Sequence, residues 1–180
     1  RGEFFATMRI LQRGDLTQDQ LYGSWAGAFG HTQFMPSTYE SLAVDFDGDG
    51  RRDLVSSTTD ALASTANFLK RAGWQTGMPW GFEVKIPDGM SISGESRRNK
   101  KSLNHWIAQG LIRADGTALI QGNLSGSTLA GLMAPAGSNG PVFLVFKNFD
   151  AIYSYNAAES YGLAIAHLSD RLRGGTPFLT

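Results

Sequence analysis

Three aspartates alternate within residues 45–50, whose sequence is DFDGDG. Asp45, Asp47 and Asp49 occupy positions 1, 3 and 5 of an EF-hand-like loop, and Gly50 stands at position 6, where such a loop turns sharply. Carboxylates at this spacing repel one another unless a cation neutralises them. The pattern predicts a structural calcium site, with a plain solvated acidic turn as the alternative.

The sequence alone does not decide which residues complete the predicted calcium site. Ser56 stands at position 12, where the usual carboxylate is therefore missing. Arg51 would supply its backbone carbonyl from position 7. Two later carboxylates are candidates to complete the site: Asp60, at the head of the next predicted helix, or Asp53, if the loop resembles the repeats of calcium-binding propellers. A propeller needs several copies of the loop, and this chain has one.

The glutamates are the candidates for acid catalysis of glycosidic cleavage, which needs a carboxylic acid held protonated in an apolar pocket. None of them has a sequence context of that kind. Two resemble helix-capping residues, one lies in a strand-like run, and Glu95 has basic neighbours that would lower its pKa. The sequence therefore predicts no general acid among Glu3, Glu40, Glu83, Glu95 and Glu159.

Composition excludes several other kinds of chemistry. The chain has 16 basic and 16 acidic side chains, so no net field draws it to nucleic acid or to an anionic membrane. It has no cysteine, and its three histidines lack zinc-ligand spacing. The glycine-rich stretch at 23–30 is followed by no Lys-Ser/Thr pair, which argues against a phosphate loop. A neutral partner such as a sugar polymer remains compatible with this composition.

Helices are predicted at both ends of the chain. Apolar residues at helical spacing predict a first helix that stops at Gly14 and a later one that ends before Gly73. Capping-box patterns at 17–20 and 37–40 predict two further helix starts, and residues 156–159 predict the cap of a C-terminal helix closed by Gly174. The predicted buried faces are Phe4, Met8 and Leu11; Leu62, Ala66 and Leu69; and Tyr161, Ile165, Leu168 and Leu172.

The middle of the chain has a different composition, rich in Gly, Pro and Ser from Trp80 to Asn148. Its β-prone runs predict strands at 82–86 and 142–146, and a short helix is predicted from Ser102 to Gly110. Turns are predicted at 115–116 and 139–140. We therefore predict a small strand-containing subdomain at 81–145, inserted between 1–80 and 146–180.

Residues 23–37 (GSWAGAFGHTQFMPS), followed by AVDFDGDG at 43–50, closely resemble the lytic murein transglycosylase B family. The match resumes through DALASTANF at 60–68 and NFDAI at 148–152, and it is loosest at 81–145. The resemblance implies a lysozyme-like α+β fold, mainly helical around a saccharide groove, with one EF-hand-like calcium loop. It also implies a periplasmic enzyme of the bacterial cell wall.

The family's mechanism uses one glutamate, first as acid on the oxygen between N-acetylmuramic acid and N-acetylglucosamine and then as base. The muramyl C6 hydroxyl closes on C1, which gives a 1,6-anhydro product without attack by water. In the family this glutamate lies in an Ile-x-x-Glu-Ser/Thr-x-Trp/Phe-Gly segment, which residues 1–180 lack. We therefore expect the acid upstream of Arg1 and expect residues 1–180 alone to be inactive.

The resemblance also implies which residues contact the glycan strand. Amides suit N-acetyl groups and tyrosine rings offer stacking faces. We expect the 23–34 segment and the segment around residue 156 to meet in the groove. We also expect the protein to be a monomer. Whether a longer protein that contains this chain is attached to the outer membrane by a lipid anchor stays an open question. The matching substrate-binding positions are Ser24, Gln33, Phe34, Tyr155, Asn156 and Tyr161.

The alternative from another class is a noncatalytic, calcium-stabilised module that binds saccharide or protein. The missing acid and the likeness of the acidic loop to dockerin and propeller repeats favour it. The complete 23–37 segment favours the enzyme, because a dedicated binding module has no reason to retain all of it.

Overall fold

A computed structural model describes residues 1–137 and 140–179. The chain divides into two compact units, Arg1–Arg71 and Ala72–Thr180. The elements in chain order are α1 (Gly2–Arg13), a 3₁₀ turn (Gln18–Gln20), α2 (Pro36–Leu42), α3 (Thr58–Arg71), β1 (Gly81–Lys85), β2 (Lys101–Ser102), α4 (Leu103–Ala108), β3 (Ile112–Arg113), β4 (Leu129–Met133), β5 (Val142–Val145), α5 (Lys147–Tyr155) and α6 (Glu159–Leu172).

The first helix, α1, ends where the sequence predicts. Gly14 adopts a left-handed conformation with φ 76°, and its N–H donates to the Leu11 carbonyl. The buried residues of α1 are Ala6 and Ile10, whereas Phe4 is 64% exposed. The predicted face of Phe4, Met8 and Leu11 is therefore not the one that α1 buries most completely.

The two predicted capping boxes have different outcomes. The box at Thr17 forms, but it caps only one 3₁₀ turn and not a full helix. The box at Ser37 is wrong, because α2 already begins at Pro36 with Met35 as its N-cap. Proline suits the first helical position, where its missing N–H costs nothing. The Ser37 hydroxyl instead donates to the Glu3 carboxylate at 2.7 Å.

Helix α3 forms as predicted, but its predicted buried face is wrong. Leu62 is 68% exposed, and the residues that α3 buries are Asp60, Ala61 and Ser64. The reason is hydrogen bonding, because the Ser64 hydroxyl accepts from the Val44 N–H at 2.9 Å and Asp60 accepts from two further backbone N–H groups. Backbone donors that are partly shielded from water need such partners, and apolar periodicity does not reveal them.

The second unit contains a five-stranded antiparallel sheet in the order β2-β4-β5-β1-β3. The predicted strands at 82–86 and 142–146 correspond to β1 and β5, which pair from Gly81 with Val145 to Val84 with Val142. All four residues of β5 are buried, as expected of an apolar run at the centre of a sheet.

The core of this unit lies between the sheet and α4. The predicted helix at 102–110 is confirmed with Ser102 as its N-cap, whose hydroxyl accepts from the His105 N–H. Trp106 is fully buried, and its indole N–H donates to the Ala130 carbonyl at 2.9 Å. The buried members of the core are Val84, Leu103, Trp106, Leu111, Leu119, Leu124, Ala130, Leu132, Val142, Leu144 and Phe146.

The C-terminal helix, α6, forms, but its predicted cap and face are wrong. Ala158, not Asn156, is the N-cap. The buried residues are Gly162, Leu163 and Ala166, while Leu172 is 81% exposed. Small residues face inward because a Cβ at Gly162 would lie 2.9 Å from the Phe149 ring, so α5 and α6 pack closely.

Two remaining expectations concern turns and subdomains. The turn at 115–116 forms, with the Gly116 N–H donating to the Arg113 carbonyl at 2.9 Å, whereas Asn139 of the other predicted turn lies outside the described residues. The inserted subdomain at 81–145 stays a prediction. Within the described residues, no helix is long and apolar enough to cross a membrane.

Candidate functional site

Residues 23–34, which we call the glycine-rich wall, form a small backbone ladder. Isolated bridges pair Gly23 with Phe29 and Phe29 with Phe34. The Ser24 N–H donates to the Ala28 carbonyl at 2.8 Å. A Cβ at Gly23 would lie 2.2 Å from the Ala28 carbonyl oxygen. The close approach of the backbone at Gly23 and Ala28 therefore requires glycine at position 23.

The ladder places Ser24 and Gln33 in one wall. Both residues are exposed, and the Ser24 hydroxyl accepts from the Ala28 N–H at 3.1 Å. Gln33 has φ 51°, and no other described non-glycine residue has a positive φ. Its side-chain amide donates to the Gly30 carbonyl at 2.9 Å. Left-handed backbone at a non-glycine residue is unfavourable and often marks a functional position.

Phe34, the third wall residue assigned to the site, is buried. Its exposure is 3%, and its ring lies 5.8 Å from that of Phe68. Phe29 is equally buried and packs on Tyr39. These contacts favour a supporting role for Phe34 over direct contact with a ligand.

The wall is anchored to the end of the acidic loop at 45–53. The His31 N–H donates to the Leu54 carbonyl at 2.8 Å. Gly30 has φ 67°, and a Cβ there would lie 2.5 Å from the same carbonyl oxygen. The Tyr39 hydroxyl donates to the Arg52 carbonyl. The position of the wall thus depends on how the loop ends.

The loop gathers the three alternating aspartates. Oxygen atoms of Asp45, Asp47 and Asp49 all lie within 4.8 Å of one another. Hydrogen bonds within the loop hold its turn. The Asp45 carboxylate accepts from the Gly48 N–H at 2.7 Å and from the Gly50 N–H at 2.9 Å. The salt bridges of the described residues include none of the three carboxylates.

The two candidates for the late ligand have different surroundings. Asp60 is 1% exposed, and its two oxygens accept from the N–H groups of Phe46 and Asp53, both at 2.9 Å. It therefore touches both ends of the loop. The Asp53 carboxylate instead accepts from the N–H groups of Val55 and Ser56, which belong to the turn that follows.

Arg51 is predicted to contribute its backbone carbonyl to the metal site. Its guanidinium donates to the Asp15 carbonyl at 3.2 and 3.1 Å, which holds the residue against the chain that follows α1. Arg52 forms an ion pair with the Asp15 carboxylate. These contacts secure the backbone at position 7 of the loop.

The remaining predicted site residues lie in the second unit, around the connection between α5 and α6. Tyr155 and Tyr161 are half-buried, and Asn156 is exposed. The Asn156 carbonyl accepts from the Ala158 N–H at 2.7 Å. That these residues border one groove with the glycine-rich wall stays a prediction.

All five glutamates are engaged by hydrogen-bond donors or cations. The Arg9 guanidinium, bonded to Glu40 at 2.7 and 2.6 Å, holds the pKa of that carboxyl below its usual value. The other contacts are Ser37 on Glu3, the Leu179 N–H on Glu83, Lys101 and Asn99 on Glu95, and Arg97 on Glu159.

The structure also shows features that sequence reasoning did not identify. A cavity of about 360 Å³ lies in the second unit, between β1 and residues 175–179. His167 stacks on Phe178 at one side of it, with ring centroids 3.9 Å apart. In the wall, Trp25 is fully exposed. Neither feature has a local spacing signal, because each depends on how distant residues pack.

Comparison with known proteins gives consistent matches. Residues 1–170 match the transglycosylase SLT domain family. The chain is 33% identical over 180 aligned residues to the membrane-bound lytic murein transglycosylase B of Escherichia coli K12, covering 93% of this chain and 45% of that protein. The chain thus spans about half the length of the relatives it matches.

Solved structures extend the comparison to the fold. SltB3 from Pseudomonas aeruginosa, in complex with NAG-anhNAM-pentapeptide, superposes with a TM-score of 0.92 at 46% identity, over 97% of this chain and 46% of that one. The Escherichia coli lytic transglycosylase Slt35 in complex with calcium gives a TM-score of 0.77 at 29% identity, over 96% and 52%. These matches confirm the predicted lysozyme-like α+β class.

Proposed function

This chain belongs to the transglycosylase SLT domain family, and we propose that it serves the lytic cleavage of peptidoglycan glycan strands in the periplasm. Its relatives are lytic transglycosylases, which are enzymes. SltB3 has been solved with NAG-NAM-pentapeptide as well as with the anhydro form. The observation that carries the proposal is the family match over residues 1–170, which includes the whole glycine-rich wall.

We propose that the wall binds the glycan. Ser24 and Gln33 are exposed, and their hydroxyl and amide groups can bond to sugar hydroxyls and N-acetyl groups. Asn156 offers a second amide, and Tyr155 and Tyr161 offer ring faces. Gln33→Ala should weaken binding of a GlcNAc–MurNAc oligomer by about 1–3 kcal/mol, the cost of leaving a polar group unpaired. Equal affinities of wild type and variant would remove Gln33 from the site.

The acid step is proposed to need a carboxylic acid that residues 1–180 do not supply. The surroundings of Glu40 support this, since its hydrogen bonds to Arg9 lower the pKa of that carboxyl. Glu83 is the most buried of them at 9% exposure, yet it accepts a hydrogen bond from the Leu179 N–H at 2.7 Å. We therefore expect residues 1–180 to bind glycan without cutting it.

Incubation with purified sacculi tests this proposal. We expect residues 1–180 to co-sediment with the sacculi and to release no 1,6-anhydromuropeptides. Release that Glu95→Gln or Glu83→Gln abolishes would place an acid inside the chain. Failure to co-sediment would contradict the proposal of glycan binding itself.

We further propose that the acidic loop holds calcium, with Asp45, Asp47, Asp49, the Arg51 carbonyl and Asp60 as ligands. The donor set fits, because hard carboxylate and carbonyl oxygens are what calcium prefers. The three loop carboxylates already converge. Asp60 is buried and accepts hydrogen bonds from two backbone amides, so a nearby cation would stabilise its charge. These contacts favour Asp60 over Asp53 as the late ligand.

A noncatalytic, calcium-stabilised binding module is the second candidate function. It is favoured because each of the five glutamates already has a hydrogen-bond or ion-pair partner. The coding sequence upstream of Arg1 distinguishes the two. A Glu-Ser/Thr segment there supports the enzyme, and its absence supports the binding module.

A further inference from the structure

The most exposed aromatic side chains of the first unit lie at the edge of the glycine-rich wall. Trp25 is 100% exposed and Tyr22 is 82% exposed. Trp74, Trp80 and Trp106 are 36%, 7% and 0% exposed, so Trp25 differs from every other tryptophan of the chain. Tryptophan carries a large apolar surface that folding normally removes from water. Trp25 and Tyr22 together leave a large aromatic surface in water, and aromatic side chains of this kind are enriched where proteins bind other molecules.

The backbone that presents Trp25 is tightly held. The Gly27 N–H donates to the Ser24 carbonyl at 2.9 Å, which closes a four-residue turn with Trp25 as its second residue. The Ser24 hydroxyl accepts from the Ala28 N–H, and Gly27 has φ 97°. The exposure of the indole is thus not the result of a loose loop. A fixed backbone lowers the entropy cost of binding.

The chemistry around the indole selects the class of ligand. Residues 21–39 contain no Asp, Glu, Lys or Arg. A nucleic acid would need cations for its phosphates, and a charged peptide would need a countercharge, so this surface suits an uncharged ligand. Aromatic faces beside hydroxyl and amide groups match a pyranose ring, which has apolar C–H faces and a polar rim.

We propose that Trp25, together with Tyr22, is a stacking platform for a sugar ring of the glycan strand. The platform rests on the proposed glycan-binding function and adds a subsite to it. Ser24 and Gln33 bond to the polar edges of the strand, and the indole covers the C–H face of one ring. The contact would remove from water the apolar surface that Trp25 exposes.

Calorimetric titration with a GlcNAc–MurNAc tetrasaccharide tests the platform. Trp25→Ala should raise the dissociation constant by about tenfold or more, which corresponds to a loss of about 1.4 kcal/mol of binding free energy. Trp25→Phe should keep affinity within about threefold, because it retains an aromatic face. Leu62→Ala is the matched control, since Leu62 is a large apolar residue 68% exposed on α3, and it should bind as wild type does. Tryptophan emission should shift to shorter wavelength on binding in the wild type and not in Trp25→Phe.

The outcomes separate the platform from the function on which it rests. If Trp25→Ala binds the tetrasaccharide as tightly as wild type while Gln33→Ala binds it more weakly, the platform is wrong and the glycan-binding wall stands. If the wild type does not bind the tetrasaccharide, glycan binding is wrong and the platform falls with it. A loss in Trp25→Ala that Leu62→Ala shares would mark general destabilisation, which also contradicts a specific platform.

Discussion

Different interactions stabilise the interiors of the two compact units. In the second unit, an apolar cluster packs between the sheet and α4, with Leu103, Trp106 and Leu144 fully buried. In the first unit, much of the order of residues 43–57 comes from carboxylates that accept backbone N–H groups, with Asp60 and Asp45 each accepting two. The first unit also buries apolar side chains such as Ile10 and Phe34, but it adds hydrogen-bonded carboxylates to them.

The glycine-rich wall contacts the end of the acidic loop, in the unit that uses these hydrogen-bonded carboxylates. An apolar cluster stabilises a sheet whose details can repack. A hydrogen-bonded loop instead fixes individual atoms, such as the Leu54 carbonyl that receives the His31 N–H. A binding surface needs that precision. We therefore expect ions and pH to affect the first unit and apolar truncation to affect the second.

The largest expected effect is on the apolar cluster. Trp106→Ala should lower the free energy of unfolding by about 3–5 kcal/mol, because it removes a fully buried indole and leaves a cavity. Urea unfolding measures the change. Trp74→Ala is the matched control and should have a much smaller effect, since Trp74 is 36% exposed. Equal losses in the two variants would contradict the apolar account of the second unit.

A second large effect is expected at Asp60. Asp60→Ala should lower the free energy of unfolding by about 1–3 kcal/mol, because the N–H groups of Phe46 and Asp53 lose the partly buried hydrogen bonds that they donate to Asp60. It should also abolish stabilisation by added calcium. Asp53→Ala should retain that stabilisation, because its carboxylate serves the following turn. The reverse result would make Asp53 the late ligand.

Calcium itself should stabilise the wild type. At a free concentration one hundred times the dissociation constant, the gain is about 2.7 kcal/mol. Thermal unfolding in EDTA and after calcium is restored measures it. Asp45→Asn should reduce the gain, since it removes one charge from the cluster. An unfolding curve that does not respond to calcium would mean that the loop is only an acidic turn.

The smallest expected effect is the pH response of the ion pair between α1 and α2. The pKa of Glu40 is lowered by its hydrogen bonds to Arg9, so the pair stabilises the fold above the ordinary glutamate pKa. That contribution is lost as pH falls through the lowered value. NMR titration should give a midpoint below about 4.3 that rises in Arg9→Gln. An unchanged midpoint would remove Arg9 as the cause.

Local signals predicted several elements and the clustering of the aspartates in the acidic loop. Helix α1 with its Gly14 stop, strands β1 and β5, and the convergence of Asp45, Asp47 and Asp49 follow from short-range spacing. These features depend on neighbours in the sequence, which a pattern can detect.

Long-range contacts decided the features that were missed. The buried side of α3 is set by hydrogen bonds that Asp60 and Ser64 accept from the backbone N–H groups of Phe46 and Val44. That of α6 is set by the close approach of Gly162 to Phe149. Trp25 was missed because tryptophan is usually buried. Only the folded wall shows that it is exposed.

Mapping the glycan on the chain by NMR tests the central claim most directly. A GlcNAc–MurNAc tetrasaccharide would be added to isotopically labelled protein in calcium, and amide shift changes would be followed residue by residue. The account predicts that the changes concentrate in residues 22–34, with a second group at 155–161. Changes confined to the cavity beside residues 175–179, or no changes at saturating tetrasaccharide, would contradict it.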